Sequence, residues 1–164
     1  MDGLESRGIE LRPAAQDDDD LVRRVLALAA DWRADDPSIA VAELPAAYYA
    51  GWGRPDDLGM WAFDGIVFAG GAYARRVGPA AGTYGYVEPD LFELTIGIEA
   101  THRGTGLGRL VLEALKAQTM QRGVRGLSLS VARDNSVGQR LYRAANFAVV
   151  DERSTDLLMR WSWG

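Results

Sequence analysis

The chain has 164 residues, 48% of them hydrophobic and 25% charged, which is the composition of one globular domain with a sizeable core. Its 18 Lys and Arg against 23 Asp and Glu leave a net charge of −5. That balance argues against a nucleic-acid or anionic-membrane partner, which would need clustered cations, and it suits a cationic substrate. With no cysteine and a single histidine, disulfide scaffolds, thiol nucleophiles, zinc fingers and iron–sulfur centres are excluded, and no metal is expected.

Residues 1–7 lack a basic region leading into an apolar core, and no run of about 18 apolar residues occurs. No secretory signal or membrane span is therefore expected, and a cytoplasmic protein is the simplest placement. Residues 9–12 alternate and stop at Pro13, a short first strand. The acidic run Asp17 to Asp20 predicts the capped start of a helix whose apolar stripe is Leu21, Val25, Leu28, Ala29 and Trp32. Residues 39–50 predict a second, shorter helix with Pro45 near its first turn. Strands at 58–63 and 66–75 are joined by Asp64-Gly65, a strong hairpin signal. The next strand covers 91–99, with Leu94, Ile96 and Ile98 on one face and Glu93, Thr95, Gly97 and Glu99 on the other.

A helix follows with Leu107, Leu110, Val111, Ala114 and Leu115 as its stripe and Gly123 just past its end. Leu127, Leu129 and Val131 alternate as a strand, and Asn135 is placed to cap a last helix with Val137, Leu141, Ala144 and Ala145 on its apolar face. Strands at 147–150 and 156–163 complete the order β-α-α-β-β-β-α-β-α-β-β, an α/β chain. With no repeat and no linker, residues 1–164 are expected to form one domain.

The unit that carries chemical information is strand, glycine loop, helix and strand over residues 91–132. The loop reads Arg103, Gly104, Thr105, Gly106, Leu107, Gly108. Glycine at alternate positions lets the backbone bend tightly with no Cβ in the way at those three residues. Its amides can then converge where a helix N-terminus presents unpaired donors and the positive end of its dipole. The product is an anion cradle suited to a diphosphate, with Arg103 and Arg109 flanking it. A phosphate-binding GxxxxGK[ST] loop is excluded because no lysine follows, and the dinucleotide pattern GxGxxG fails in spacing, with Asp134 too far along to serve as its acid.

Arg103, Gly106 and Gly108 match the loop [RQ]xxGx[GA] of the GNAT superfamily of acyl-CoA-dependent N-acyltransferases. A second block, Asn135 to Phe147, is similar to that superfamily's N-x-x-[AG]-x-x-[LF]-Y-x-x-x-G-F, with Asn146 in place of the glycine. Asparagine is the next-best residue for the left-handed backbone which that position needs. The resemblance implies a GNAT fold, a central mixed, mostly antiparallel twisted sheet of six to seven strands with a parallel splayed pair in the middle, flanked by about four helices. It also implies acetyl-CoA as cosubstrate. The main chain near Ile98 would bond the pantetheine arm. The stretch Arg103, Gly104, Thr105, Gly106, Leu107, Gly108 and Arg109 would hold the diphosphate, and Asn135 would bond the arm through its amide. Tyr142 would protonate the leaving thiolate, and Glu93 would take the proton of the substrate ammonium, with Glu99 next in line.

The implied reaction is acetyl transfer to a primary amine of a small molecule or peptide by direct attack, since no Cys and no Ser–His pair offers an acyl-enzyme route. Tyr48, Tyr49, Trp52 and the loop at 84–90 would line the acceptor side by analogy. His102 reads as a loop-packing residue. The last strand, with Trp161 and Trp163, is a candidate for pairing across a homodimer. The rival readings are a CoA- or nucleotide-binding module without catalysis, a nucleotide-dependent oxidoreductase and a partner-binding domain.

Overall fold

The computed structural model describes residues 8–164 and shows a seven-stranded sheet in the order β1-β2-β3-β4-β5-β7-β6. The strands are β1 (Ile9–Pro13), β2 (Leu58–Asp64), β3 (Val67–Arg75), β4 (Leu91–Ile98), β5 (Gly126–Ala132), β6 (Ala148–Glu152) and β7 (Asp156–Ser162). Three α-helices cover it: α1 (Asp19–Ala30), α2 (Leu107–Gln121) and α3 (Ser136–Ala144). All neighbouring strands are antiparallel except β4 and β5, which run parallel because α2 crosses between them.

Strand alternation sorts the side chains into two layers. On one face Leu58, Ala62, Ala72, Ala74, Leu94, Leu127, Leu129 and Met159 pack against Leu107, Leu110, Val111 and Leu115 of α2. Each such leucine contributes about 2 kcal/mol on leaving water. The other face puts Trp61 and Tyr73 against Val22 and Val25 of α1. α1 lies directly on β4 at Gly97, where a Cβ would stand 2.6 Å from the Val25 carbonyl oxygen and 2.7 Å from Leu28 Cβ.

Several local expectations are met. The β2–β3 hairpin turns at Gly65 with φ +62°, although Ile66, expected inside the strand, is 96% exposed in the turn. Asn135 caps α3 by accepting the Gly138 amide at 3.0 Å, and Asn146 is left-handed at φ +70°.

Others are corrected. Residues 39–50 form no α-helix but two 3₁₀ turns, Val41–Glu43 and Ala46–Tyr48. Leu44, held extended before Pro45 at φ −89° and ψ 158°, separates them. Asp18 stands at the N-cap of α1, yet its carboxylate accepts from the Ala15 amide at 2.6 Å and Trp61 Nε1 at 2.8 Å instead of capping the helix. On α3 the expected stripe holds at Ala145, buried, and Leu141, half-buried, but not at Val137 and Ala144, which are exposed, while Tyr142, outside that stripe, is buried. β7 lies inside the sheet between β5 and β6, so it has no free edge to pair across a dimer, and Trp161 is buried in the core. Among the described residues, no helix is long and apolar enough to cross a membrane.

Candidate active site

β4 and β5 are paired only at their first residues, Leu91 to Glu93 against Gly126 to Ser128. Beyond them β4 stays with β3 as far as Ile98, and β5 stays with β7 as far as Ala132, so the two strands part. A V-shaped gap opens between them, and the facing main-chain groups of its arms lack a ladder partner. A cleft of about 1190 Å³ occupies this gap, with Glu93 near its apex and Gly104, Gly106, Gly108 and Arg109 at its far end.

The far end is built by the turn into α2. Gly106 is the N-cap residue and adopts φ +88°, a conformation glycine enters without strain. Among the described residues, no protein acceptor takes the N–H groups of Leu107, Gly108 or Arg109, the first turn of the helix. Gly108 is not crowded: a Cβ there would meet Leu141 Cδ2 at 3.5 Å and Ile98 Cγ1 at 3.8 Å, ordinary contacts with two residues that line the cleft. The first turn of a helix therefore keeps a glycine that the folded chain does not itself need, and the space a methyl would fill belongs to the cleft.

The apex is built by β4 and two loops. Glu93 is 3% exposed. Its Oε2 accepts the Tyr48 hydroxyl and, at 3.1 Å, the Gly85 amide, whereas its Oε1 has no partner among the described residues. Burial pushes this carboxyl above the usual carboxylate range, against the opposing pull of the Thr83 and Tyr48 hydroxyls, the Gly85 amide and Arg153. The Tyr48 hydroxyl in turn accepts the Tyr84 amide at 2.9 Å. Alongside, Asp156 accepts from Ser130 at 2.5 Å and from Arg153 at 2.6 and 3.0 Å. Burial works against its ionisation, but these donors outweigh it and hold its carboxyl below the usual range.

The acetyltransferase (GNAT) family model matches residues 26–147, three quarters of the chain. The chain belongs to the acetyltransferase (GNAT) family. Among curated proteins no match is found. Solved structures of the same fold include yncA from Salmonella typhimurium with its cofactor acetyl-CoA, 18% identical over 94% of each chain with a TM-score of 0.70. The paiA N-acetyltransferase of Thermoplasma acidophilum in complex with coenzyme A is 18% identical, covering 94% of this chain and 99% of that one, with a TM-score of 0.68. An acetyltransferase from Thermus thermophilus is 23% identical over 94% of this chain and 97% of that one, with a TM-score of 0.63.

Set in this GNAT sheet, the residues singled out from the sequence fall along one cleft, with differences in detail. Ile98, Arg103, Gly104, Gly106, Leu107, Gly108, Arg109, Asn135, Glu93 and Tyr142 all line it, and Thr105 lies in the same bend with its hydroxyl on the His102 carbonyl at 2.7 Å. The Leu107 side chain is core, so its amide is what it offers the cleft. Arg103 reaches back to the Ile98 carbonyl at 3.3 Å and the Ala34 carbonyl at 2.9 Å, and Arg109 pairs with Glu113 at 3.0 Å. Asn135 uses its oxygen as the α3 cap, which leaves its NH₂ as the free donor. Tyr142 is 8% exposed, no described protein group bonds its hydroxyl, and burial raises its pKa, keeping it protonated.

Glu99 is committed elsewhere, gripped by Arg24 Nε and Nη2 at 2.6 Å each. His102 braces the loop between Asp64 at 3.0 Å and Thr101 at 2.8 Å. Ser130, Asp156 and Thr155, which also line the cleft, were not signalled by any motif. Ser130 alternates with the core residues Leu129 and Val131 along β5, and that pattern alone places it on the face of Glu93.

Proposed function

We propose that this protein is an N-acetyltransferase, moving an acetyl group from acetyl-CoA to a primary amine of a small molecule or peptide in a ternary complex. The observation that carries the reading is one continuous gap. It leads from amides without protein acceptors at the start of α2 to the buried carboxylate of Glu93. The solved relatives with acetyl-CoA and with coenzyme A support the choice of donor. The groups present suit that donor: three donors at a helix N-terminus for a diphosphate, room beside Gly108, two unpaired strand edges for an amide-bearing arm, and the free NH₂ of Asn135.

When bound there, acetyl-CoA supplies an activated acyl carbon and a thiolate leaving group. This chain's residues do the remainder. Glu93 takes a proton from the incoming ammonium, directly or through a water, because a protonated amine has no lone pair with which to attack. Its raised pKa brings it nearer to neutral pH and makes it a stronger base than an exposed glutamate. Tyr142 stays protonated and faces the leaving thiolate. Since a thiolate leaves readily, its donation matters less for rate than Glu93 does. The acids Glu93 and Asp156, with the rings of Tyr48 and Tyr84, attract a cationic amine to the apex.

The test is a free-thiol release assay with purified protein and acetyl-CoA against alkylamines, aromatic amines, amino acids and lysine peptides. Release above the rate with no amine, with the acetylated amine found by mass spectrometry, is the expected result. Tight acetyl-CoA binding with no acceleration by any amine class would contradict the proposal and favour a binding module.

A further inference from the structure

Glu93 has a buried cross-strand neighbour that lies outside the cleft. Arg75 ends β3 on the same face as Tyr73, and its Cα is the cross-strand partner of Glu93. Its side chain is 2% exposed, as is that of Asp57, its ion-pair partner at 3.0 Å. The guanidinium has five N–H groups, and five hydrogen bonds are made. Nε and Nη2 bond Asp57 at 3.0 and 3.2 Å, Nη1 bonds the carbonyls of Ala47 and Ala50 at 3.2 and 2.8 Å, and Nη2 bonds that of Gly51 at 3.2 Å. Asp57 accepts in addition the amides of Gly53 and Arg54 at 3.1 and 3.0 Å.

Those three carbonyls lie on both sides of Tyr48. Its hydroxyl accepts from the Tyr84 amide, so the hydroxyl proton has to point to Glu93 Oε2. With Gly85 on the same oxygen, Oε2 takes two donors, while Oε1 is buried and the Thr83 hydroxyl lies beside the carboxylate. A buried ion pair is by itself poor evidence for stability, since well-packed apolar residues often replace one without loss. What this pair does that an apolar pair cannot is bond three carbonyls of one turn at once. A lysine, with a compact head and three donors, cannot reproduce that fork.

We propose that Arg75 is a positioning residue: by gripping the main chain on either side of Tyr48 it fixes the Tyr48 hydroxyl on Glu93 Oε2, and so sets the orientation of the Glu93 carboxylate at the apex of the cleft. This rests on Glu93 being the base, as proposed above. The titratable and charged groups around Glu93 are Tyr48 from the 46–51 turn, Arg153 from the β6–β7 turn with its partner Asp156 on β7, and Tyr73 and Arg75 on β3.

The test reads Glu93 itself, with no donor or acceptor present. In protein carrying ¹³C at the glutamate carboxyls, the resonance missing from Glu93→Gln is that of Glu93, and its titration midpoint is followed by NMR. Tyr48→Phe removes one donor to the carboxylate and is expected to raise the midpoint by on the order of one pH unit. The charge-neutral pair Arg75→Met with Asp57→Asn is expected to raise it comparably, and to add nothing further in the Tyr48→Phe background. A wild-type midpoint in the folded pair variant overturns the proposal. A full additional shift on top of Tyr48→Phe overturns it too, because Arg75 would then act by charge alone.

If the pair variant does not fold, Arg75→Lys keeps the charge beside Asp57 but loses the fork. It is expected to give the same shift, and an unmoved midpoint refutes the role. Full turnover in Glu93→Gln would instead sink the base assignment, a separate result.

Discussion

Gly108→Ala separates a structural glycine from one kept for a ligand, because the two readings give opposite signs. The backbone at Gly108 is helical, and an added methyl meets its nearest neighbours at 3.5 and 3.8 Å, so the free protein accepts it without strain. Replacing glycine by alanine in a helix stabilises by about 0.5–1 kcal/mol. For a chain of this length that raises Tm by about 1–4 °C. The same methyl enters the cleft between Ile98 and Leu141, beside the amides assigned to the diphosphate. Displacing the ligand enough to lose one charge-assisted hydrogen bond costs about 1.5–3 kcal/mol, or roughly 10- to 150-fold in Kd for acetyl-CoA. Differential scanning fluorimetry and titration calorimetry on the same preparations measure both. A variant that melts higher and binds acetyl-CoA as well as the parent would refute the reasoning.

Glu93→Gln should stay folded and lose about 10²- to 10⁴-fold in kcat. In the parent protein the base works only when ionised. Since burial raises its pKa, kcat/KM should climb with pH across a window above the ordinary carboxylate range, and that limb should vanish in Glu93→Gln. The same shift has a consequence for stability. A carboxyl whose folded pKa lies above its unfolded value contributes stability that is full below the unfolded pKa and is lost as pH rises through the folded one. Chemical denaturation between pH 4 and 8 should therefore show a flatter profile for Glu93→Gln than for the parent. Tyr142→Phe should lower kcat while leaving the acetyl-CoA Kd within about threefold, because the hydroxyl bonds no described protein group and loses one weak contact at most. An unchanged kcat would remove its role as acid. Asn135→Ala should cost about 1 kcal/mol of stability through the lost α3 cap and should also weaken acetyl-CoA binding. A stability loss with unchanged affinity would reduce it to a cap.

The strands were legible because their alternation is a local property, and β4 shows Glu93, Thr95 and Gly97 against Leu94, Ile96 and Ile98 in the sequence itself. The glycine bend was legible because spacing alone defines it. The segment at 39–50 was not. Its apolar spacing is helical, but the carbonyls of Ala47, Ala50 and Gly51, which a continuing helix would use internally, go to a guanidinium some 25 residues further along the chain. Val137 was misread for a related reason. A periodic stripe assumes a helix packed along its whole length, and α3 begins over an open cleft, so Val137 has nothing to cover it and is 69% exposed. Arg75 carried a weak signal that spacing does not score: a charge two residues from Tyr73, on the inward face of a strand.

The most direct measurement is a crystal structure with coenzyme A bound. The account predicts diphosphate oxygens within about 3 Å of the Leu107, Gly108 and Arg109 nitrogens, and the pantetheine arm lying between β4 and β5 as an added strand. Coenzyme A bound elsewhere, with those amides facing solvent or a protein group, would contradict it.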